Sequence, residues 1–495
     1  MNKRNFFKHC LCLLLVAIVF AIPVKVADAA KKPKLSKTTL TFSSDSAKAQ
    51  TITIKNLKTS NVKKLTVTND WKLWIDVKKR GKNKIVIKPK RSGKVTYGVG
   101  VRIEYKKPVN GSYSEWLSFK KIQIKGSSKI PIKTAKDLCA IRGSSYSVHK
   151  WQYYLANDIN MTGKGIVKDE YGSKAFVDIY LDGKGHKIIS DTPVFQTLGG
   201  TIKNVTFESN YNCTVSKNDA ITKIWSDYYV VNAGIAPIIN FTGGTISNCK
   251  ATGKMVINYD KDVTWMPVGG TDPSNASEIR VGGLVGENGN SSVITGCKSD
   301  VDINITFGKD QNHFTYVGGI ASLNYGYSGN KQYATISESM FSGNILINDN
   351  YSFAYGGAIC GQNNANIADC LNIGSVKVRC KDQVNTIGGA CGMGAIGGSA
   401  SVKRVLTAGD VDFGLYGSSV SDSSIANNTI PKFENAYYLK SKSEGFNYMQ
   451  NAFAVSGVKG IEDAELTSEA TFAGFDFGKV WVMTAEGPRL RNVAK

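Results

Sequence analysis

Between residues 199 and 413 the apolar positions fall into one recurring phrase. It opens on a β-branched residue: Ile202, Ile246, Ile294, Ile336, Ile367 or Val402. Three residues later comes a small or sulfur-bearing slot, filled by Val205, Cys249, Cys297, Ser339, Cys370 and Val405. Four further on is glycine in most copies (Gly253, Gly343, Gly374, Gly409), with Val301 the exception. An alternating apolar pair follows: Met255/Ile257, Ile303/Ile305, Ile345/Ile347, Val376/Val378 and Val411/Phe413. The copy at Val205 departs here, with Tyr211 and Cys213. A second phrase precedes four copies: VGGLVG from Val281, VGGIAS from Val317, YGGAIC from Tyr355 and IGGACG from Ile387.

Alternation with period two marks a short strand with one buried face. The slots are separated by 44, 48, 42, 31 and 35 residues, the variation that unequal loops between fixed strands produce. A unit of this size that cannot bury its own apolar face must stack on its neighbours. With no helical periodicity between the strands, the pattern predicts a parallel β-helix of about three strands per coil. Those strands are the Gly-Gly strand, the Ile-to-slot strand and the alternating pair. The paired glycines are expected to turn corners at positive φ. The slots should form an interior ladder spaced about 4.8 Å from coil to coil. Ile294→Ala or Ile367→Ala is expected to cost about 2–5 kcal/mol.

The phrase Gly-Gly-Leu-Val-Gly followed by Ile-x-x-Cys and Gly-x-apolar-x-apolar resembles the GLUG repeat of bacterial surface proteins. Residues 132–207 resemble the opening coils of such right-handed β-helices, and residues 436–491 resemble their closing segment. The resemblance covers roughly residues 131–495. It implies a right-handed parallel β-helix with opening coils over 131–210, repeats over 199–413 and a closing segment over 430–495. It leaves activity open, because the repeat occurs on adhesins, proteases and other exported proteins.

Residues 1–29 have the makeup of a secretory signal. Lys3, Arg4 and Lys8 form a basic end, Leu11 to Val24 an apolar core, and Ala27 to Ala29 a small-x-small cleavage site. That core is short for a membrane span, and no other long apolar stretch follows, so the mature chain is expected to be exported and not spanning. Residues 30–130 form a separate unit of short alternating strands such as TITI from Thr51 and KIVIK from Lys84, which suggests a small antiparallel β-sandwich. Its opening, Leu35 to Phe42, resembles a bacterial immunoglobulin-like module. The fold class expected for the chain is therefore all-β, an N-terminal β-sandwich followed by a right-handed parallel β-helix over 131–495.

Charge separates these units. The chain carries +23, yet residues 31–130 hold 26 Lys and Arg against 5 Asp and Glu, and residues 131–495 net to −1. Such a field draws polyanions and weakens with salt. Lys78, Lys79, Arg80, Lys82, Lys88, Lys90 and Arg91 are the candidate polyanion-binding residues. The competing reading is lysine-rich solubility on exposed strand faces. Outside a bacterial cell the fitting partners are envelope polyanions and acidic glycans, with a host or neighbouring-cell surface protein a further class. Nucleic acid is not expected, since no nucleic-acid motif is present and Trp71, Trp74, Tyr97, Tyr105, Tyr113 and Trp116 fit strand packing as well as base stacking.

Chemistry-bearing residues are sparse. Beyond the signal region the cysteines are Cys139, Cys213, Cys249, Cys297, Cys360, Cys370, Cys380 and Cys391, with no Cys-x-x-Cys among them, so zinc and dithiol chemistry have no support. Cys249 and Cys297 should lie in adjacent coils, either as buried thiols or bridged, whereas Cys370 is two coils from Cys297 and out of reach. Histidines after the signal are His149, His186 and His313, without His-Glu-x-x-His, and His186 reads as a turn residue. Asp300 and Asp302 share a strand edge, with Asp410 and Asp412 two to three coils on and Asn344, Ser375 and Lys377 between. They are not expected to converge as a glycosidase or calcium set would.

The loops 218–231, 259–280, 308–316 and 324–333 are rich in aromatics, and insertions at one phase of a solenoid emerge on one side. Trp225, Tyr228, Tyr229, Trp265, Tyr325 and Tyr327 are therefore candidate ligand-binding residues, suited to sugars or a protein partner. The overall expectation is an exported, surface-associated, non-catalytic adhesin-like protein with no cofactor or metal. The rival is a polysaccharide-active lyase or hydrolase on the same fold. A cluster of three carboxylates, or of carboxylate, Arg and Lys, within about 5–6 Å in one groove would favour that rival.

Overall fold

A computed structural model describes residues 31–494, apart from 70, 72–73, 91–92, 96–97, 126–128, 142–151, 169–174, 216–221, 226–227, 231, 260–276, 290, 308–312, 328–331, 349–352, 380–385, 389–390, 394–399, 412–431 and 443–455. The signal-like residues 1–29 lie outside them, as do Arg91, Tyr97, His149, Trp265, Cys380, Asp412 and Phe413. The chain divides into two compact units, residues 1–127 and 128–495. Both are all-β. Among the described residues the α-helical part is one turn, Ala135–Leu138, started by a capping box between Thr134 and Asp137. No helix among them is long and apolar enough to cross a membrane.

The first unit contains β1 (Lys34–Leu35), β2 (Thr39–Phe42), β3 (Gln50–Lys55), β4 (Val62–Asn69), β5 (Ile75–Arg80), β6 (Lys84–Pro89), β7 (Gly93–Val95), β8 (Val99–Val109), β9 (Ser112–Ser118) and β10 (Lys121–Ile124). They form three sheets in the orders β1-β3-β6-β5, β2-β10-β7 and β4-β8-β9. Pairing is antiparallel except between β2 and β10. Strict alternation sets the faces: Ile85 and Ile87 are buried on β6 while Lys84 and Lys88 are exposed. Buried apolar residues of these strands and of the turn before β5 supply the core, including Leu40, Phe42, Ile52, Trp74, Val101, Ile103 and Ile122. Trp71 and Trp74 meet edge-to-face there, with ring centroids 5.7 Å apart.

In the second unit, strands of successive repeats pair in parallel and in register. Among the described residues they build sheets of 15, 12 and 5 strands. One repeat shows the path. Ser277–Gly282 joins the five-stranded sheet, Val285–Gly289 and Val293–Thr295 join the fifteen-stranded one, and Lys298–Thr306 joins the twelve-stranded one. The repeat therefore has four strands where the apolar pattern indicated three; Val285–Gly289 is the addition. Each opening residue falls on one rung, Ile202↔Ile246↔Ile294↔Ile336↔Ile367↔Val402↔Phe433. Every one of these side chains is buried.

Two details of the corners differ from expectation or go beyond it. The described Gly-Gly pairs of the second phrase, 282/283, 318/319 and 356/357, do not sit at positive φ. Glycine is needed there for space: a Cβ on Gly282 would strike the Val285 carbonyl, and one on Gly319 would strike the Ala358 carbonyl of the next repeat and the Phe341 ring of its own. The left-handed corner lies instead two residues after the opening isoleucine. Asn204, Asn248, Gly296, Glu338, Asp369, Arg404 and Asn435 all occupy it, with φ between 47° and 63°. The slot next to it closes that turn. Cys249, Cys297 and Cys370 direct Sγ to the carbonyl two residues back at 3.3–3.4 Å, and Ser339 Oγ does so at 2.7 Å. The slot thus takes a small side chain, which adds a donor where it is Cys or Ser and none where it is Val205 or Val405.

Candidate functional site

A cluster of positive charge lies on one face of the sheet β1-β3-β6-β5. Cross-strand register fixes which side chains share it. Lys34 lies opposite Lys55, Thr53 opposite Lys84, and Lys84, Val86 and Lys88 opposite Arg80, Lys78 and Asp76. Their neighbours Ile52, Ile54, Ile85 and Ile87 point the other way into the core. Six cations (Lys34, Lys55, Lys78, Arg80, Lys84 and Lys88) therefore stand on one outward plane, all exposed. Asp76 is the acidic member of this face and pairs with Lys78 at 3.2 Å. Arg80 and Lys84 are direct opposites, and like charges so placed repel. A bound polyanion would relieve that repulsion.

The sequence-predicted polyanion residues divide on this geometry. Lys78, Arg80 and Lys88 belong to the plane. Lys79 has the opposite strand parity, opposite Ile85; Lys82 lies in the turn between β5 and β6, and Lys90 follows the end of β6. Arg91 lies outside the described residues. Lys34, Lys55 and Lys84 complete the face. Their signal was the alternation itself, since each sits one residue from a buried apolar position.

The aromatics of this unit also divide. Trp71, Trp74 and Tyr105 are buried, and burial, with the Glu115 carboxylate that accepts the Tyr105 hydroxyl at 3.1 Å, pushes the Tyr105 phenol up to about 12. Tyr113 and Trp116 are 65% and 47% exposed, so strand packing does not account for them.

The loop residues proposed for ligand contact do not leave the sheets at one corner. Thr222–Trp225 and Tyr228–Val230 form an antiparallel hairpin with Trp225 opposite Tyr228. It joins the twelve-stranded sheet to the five-stranded one. Tyr325 and Tyr327 belong to a different corner. Gly326–Tyr327 pairs with Gln332–Tyr333, inserted between two strands of the fifteen-stranded sheet. Tyr325 is half-buried and anchored, its N–H on the Asn288 carbonyl at 2.8 Å. The expectation of a single aromatic wall is corrected accordingly. Trp265 lies outside the described residues.

The carboxylates considered for catalysis are occupied by neighbours. Ser342 donates to Asp300 at 3.2 Å and Asn344 to Asp302 at 2.8 Å, and Ser375 continues the chain to Asn344 at 2.7 Å. Asp410 pairs with Lys442 at 3.3 Å. Among the described residues no three His, Cys, Asp or Glu side chains gather as a metal site would need. His186 holds a turn, with Nδ1 3.0 Å from Asp158. The described cysteines are free thiols. Besides the stacked Cys249 and Cys297, Cys360 and Cys391 are register partners on adjacent strands. Burial raises the thiols of Cys249 and Cys360 well above the ordinary range and those of Cys370 and Cys391 to about 12.

A family model, the GLUG motif, matches residues 277–304, which spans the four strands of one repeat. The chain is thus a GLUG-motif-containing all-β protein with parallel sheets. Comparison with curated proteins finds no match.

Proposed function

We propose that this is an exported, surface-associated protein that binds without catalysis. Its first unit is read as an immunoglobulin-like β-sandwich that contacts a polyanionic envelope polymer or extracellular glycan. The second is read as a right-handed parallel β-helix of GLUG type that carries loops outward on a stiff stack of coils. The observation that carries the reading is the outward plane of Lys34, Lys55, Lys78, Arg80, Lys84 and Lys88, in which Asp76 is the acidic partner. An exposed cationic plane attracts polyanions through a field that falls off within about 10 Å at 0.1 M salt. Engagement of Asp300, Asp302 and Asp410 by neighbouring side chains supports a binding role over a hydrolytic one.

The test is sedimentation of the full chain with isolated cell envelopes. It should pellet at low salt and be released above about 0.5 M. The variant K55E/K84E/K88E, altered only at exposed positions, should stay in the supernatant at both. Pelleting of that variant at wild-type levels would remove the basic plane from the reading, and shortening of the envelope polysaccharide would put the enzymatic alternative in its place.

A further inference from the structure

The sheet β4-β8-β9 carries a second outward surface with different chemistry. Register places Lys64, Glu104 and Ser114 on one rung, Thr66, Arg102 and Trp116 on the next, and Thr68, Gly100 and Ser118 on the third. Lys64, Thr66, Arg102, Trp116 and Ser118 are exposed. Gly100 is the position on this face without a side chain, and the indole uses the gap. A Cβ there would come within 2.8 Å of Trp116 Cζ2 and 3.1 Å of Cε2. The ring therefore leans over bare backbone, held in place but 47% exposed. An aromatic fixed before its ligand arrives loses little side-chain freedom on binding.

Directly across from Trp116 stands Arg102, 58% exposed, with Nε 4.0 Å from a Glu104 carboxylate oxygen. The surface thus offers a flat apolar plate, a guanidinium beside it and hydroxyls from Thr66 and Ser118 around both. A pyranose ring matches that set. Its C–H face stacks on an indole, its hydroxyls meet Thr and Ser, and a ring carboxylate takes a charge-assisted hydrogen bond from Arg. A phosphate polymer or lipid headgroup matches the cation but has no flat C–H face to cover the ring. The +21 carried by residues 31–130 selects acidic sugars over neutral ones.

We propose that the Trp116–Arg102 face of β8 and β9 binds an acidic polysaccharide, one hexuronate ring stacking on Trp116 with its carboxylate on Arg102. This deepens the envelope-binding reading by choosing a glycan. It uses a different sheet from the cationic plane, so the two can fail separately.

Affinity electrophoresis of the full chain tests it, through gels holding polygalacturonate, a neutral galactan, polyphosphate or single-stranded DNA. Polygalacturonate should retard the chain most. Trp116→Ala should weaken that retardation roughly tenfold, about 1.4 kcal/mol, whereas Trp116→Tyr, which keeps a ring, should retain most of it. Arg102→Ala should narrow the preference for polygalacturonate over galactan, and the remaining field keeps part of it. Because both side chains are exposed, unchanged thermal midpoints are expected and would confirm that folding is not the cause.

Wild-type migration of Trp116→Ala in polygalacturonate would overturn the assignment. So would an equal loss of polyphosphate binding in that variant, since polyphosphate has no ring to stack. DNA retardation that depends on Trp116 more than polygalacturonate retardation does would replace the sugar with a base. If K55E/K84E/K88E binds polygalacturonate normally while Trp116→Ala does not, the cationic-plane reading falls and this one stands; the reverse result sinks this one alone.

Discussion

Asn324 shows what one interior residue contributes to the stack. It accepts from the Asn288 amide at 2.9 Å and donates to Asn363 Oδ1 at 2.8 Å and to the Asn366 carbonyl at 3.0 Å, entirely buried. The three asparagines form a ladder across consecutive repeats. At its first rung, next to Phe241, the buried Asn288 Oδ1 has no protein partner. Asn324→Ala should therefore cost about 2–3 kcal/mol, because it strips a hydrogen bond from buried Asn288, Asn363 and the Asn366 carbonyl, leaving Asn288 only the Thr335 carbonyl at 3.4 Å and Asn363 Oδ1 only the Ala365 N–H. Asn344→Ala removes an exposed amide of similar pairing and should cost under about 1 kcal/mol. Denaturant unfolding of both variants checks the contrast, and equal losses would mean the interior ladder is not a stabilising unit. Thiols follow the same logic of burial. The thiolate is the reactive form, and burial holds Cys249, Cys360, Cys370 and Cys391 far above neutral pH. In the folded chain these four should resist iodoacetamide at pH 8 for hours, then label promptly in guanidinium; rapid native labelling at any of them would contradict their placement. The asparagine ladder was legible in principle, since Asn288, Asn324 and Asn363 each follow a Gly-Gly phrase by a nearly constant step. It lay outside the apolar alternation, and a polar residue in a strand ordinarily reads as exposed.

At the scale of elements, the final segment acts as a strap. Phe472, Phe475, Trp481 and Leu490 cover the outward column Met340, Leu371, Leu406 and Tyr437, and Ala494 donates its N–H to Gly296 at 3.0 Å, several coils back. One corner residue ties strap to stack. Asp369 sits in the left-handed conformation at φ 51°, receives Arg404 in a two-pronged pair at 2.8 and 2.7 Å and accepts the Trp481 indole N–H at 3.2 Å. Asp369→Ala removes all of this from a site that is 8% exposed. It should lower stability by about 2–4 kcal/mol and open the segment after residue 455 to protease before the rest of the unit. Simultaneous cleavage throughout the unit would show that the strap and coils unfold together. The repeat phrase located the strands and the rung of isoleucines because apolar periodicity reports burial directly. It could not locate the strap: residues 456–494 repeat nothing, and their aromatics gain meaning only from the column they cover. Nor did it place the loops, because the phrase gives the order of strands but not the corner at which each insertion leaves.

For the whole molecule, the uneven division of charge gives the two units different responses to acid. Carboxylates held below their ordinary range lie in the second unit. The Lys187 N–H and then His186 stabilise the charged Asp158. Burial opposes ionisation of Asp182, but hydrogen bonds from the Asn204 side chain and the Lys184 N–H outweigh it. Lys403 lowers Glu434, and the Glu462 N–H and Lys459 lower Glu465. A carboxyl depressed in the folded state adds stability above its unfolded pKa, about 4, and loses it as pH falls through the lower folded value. These four therefore support the second unit fully at pH 7, and that support fades as pH falls below about 4. The first unit has 5 Asp and Glu in residues 31–130, so acid takes less pairing from it, although protonating those few raises a net charge that already repels itself. Calorimetry of the full chain from pH 7 to pH 3 at 0.15 M salt should show the second-unit transition move down. Added salt should restore the first-unit transition more than the second, since screening acts on like-charge repulsion and leaves short hydrogen-bonded pairs largely intact. A second-unit transition that rises on acidification would reverse the sign derived from Asp158, Asp182, Glu434 and Glu465, and would mean that those carboxylates are not held by the partners described.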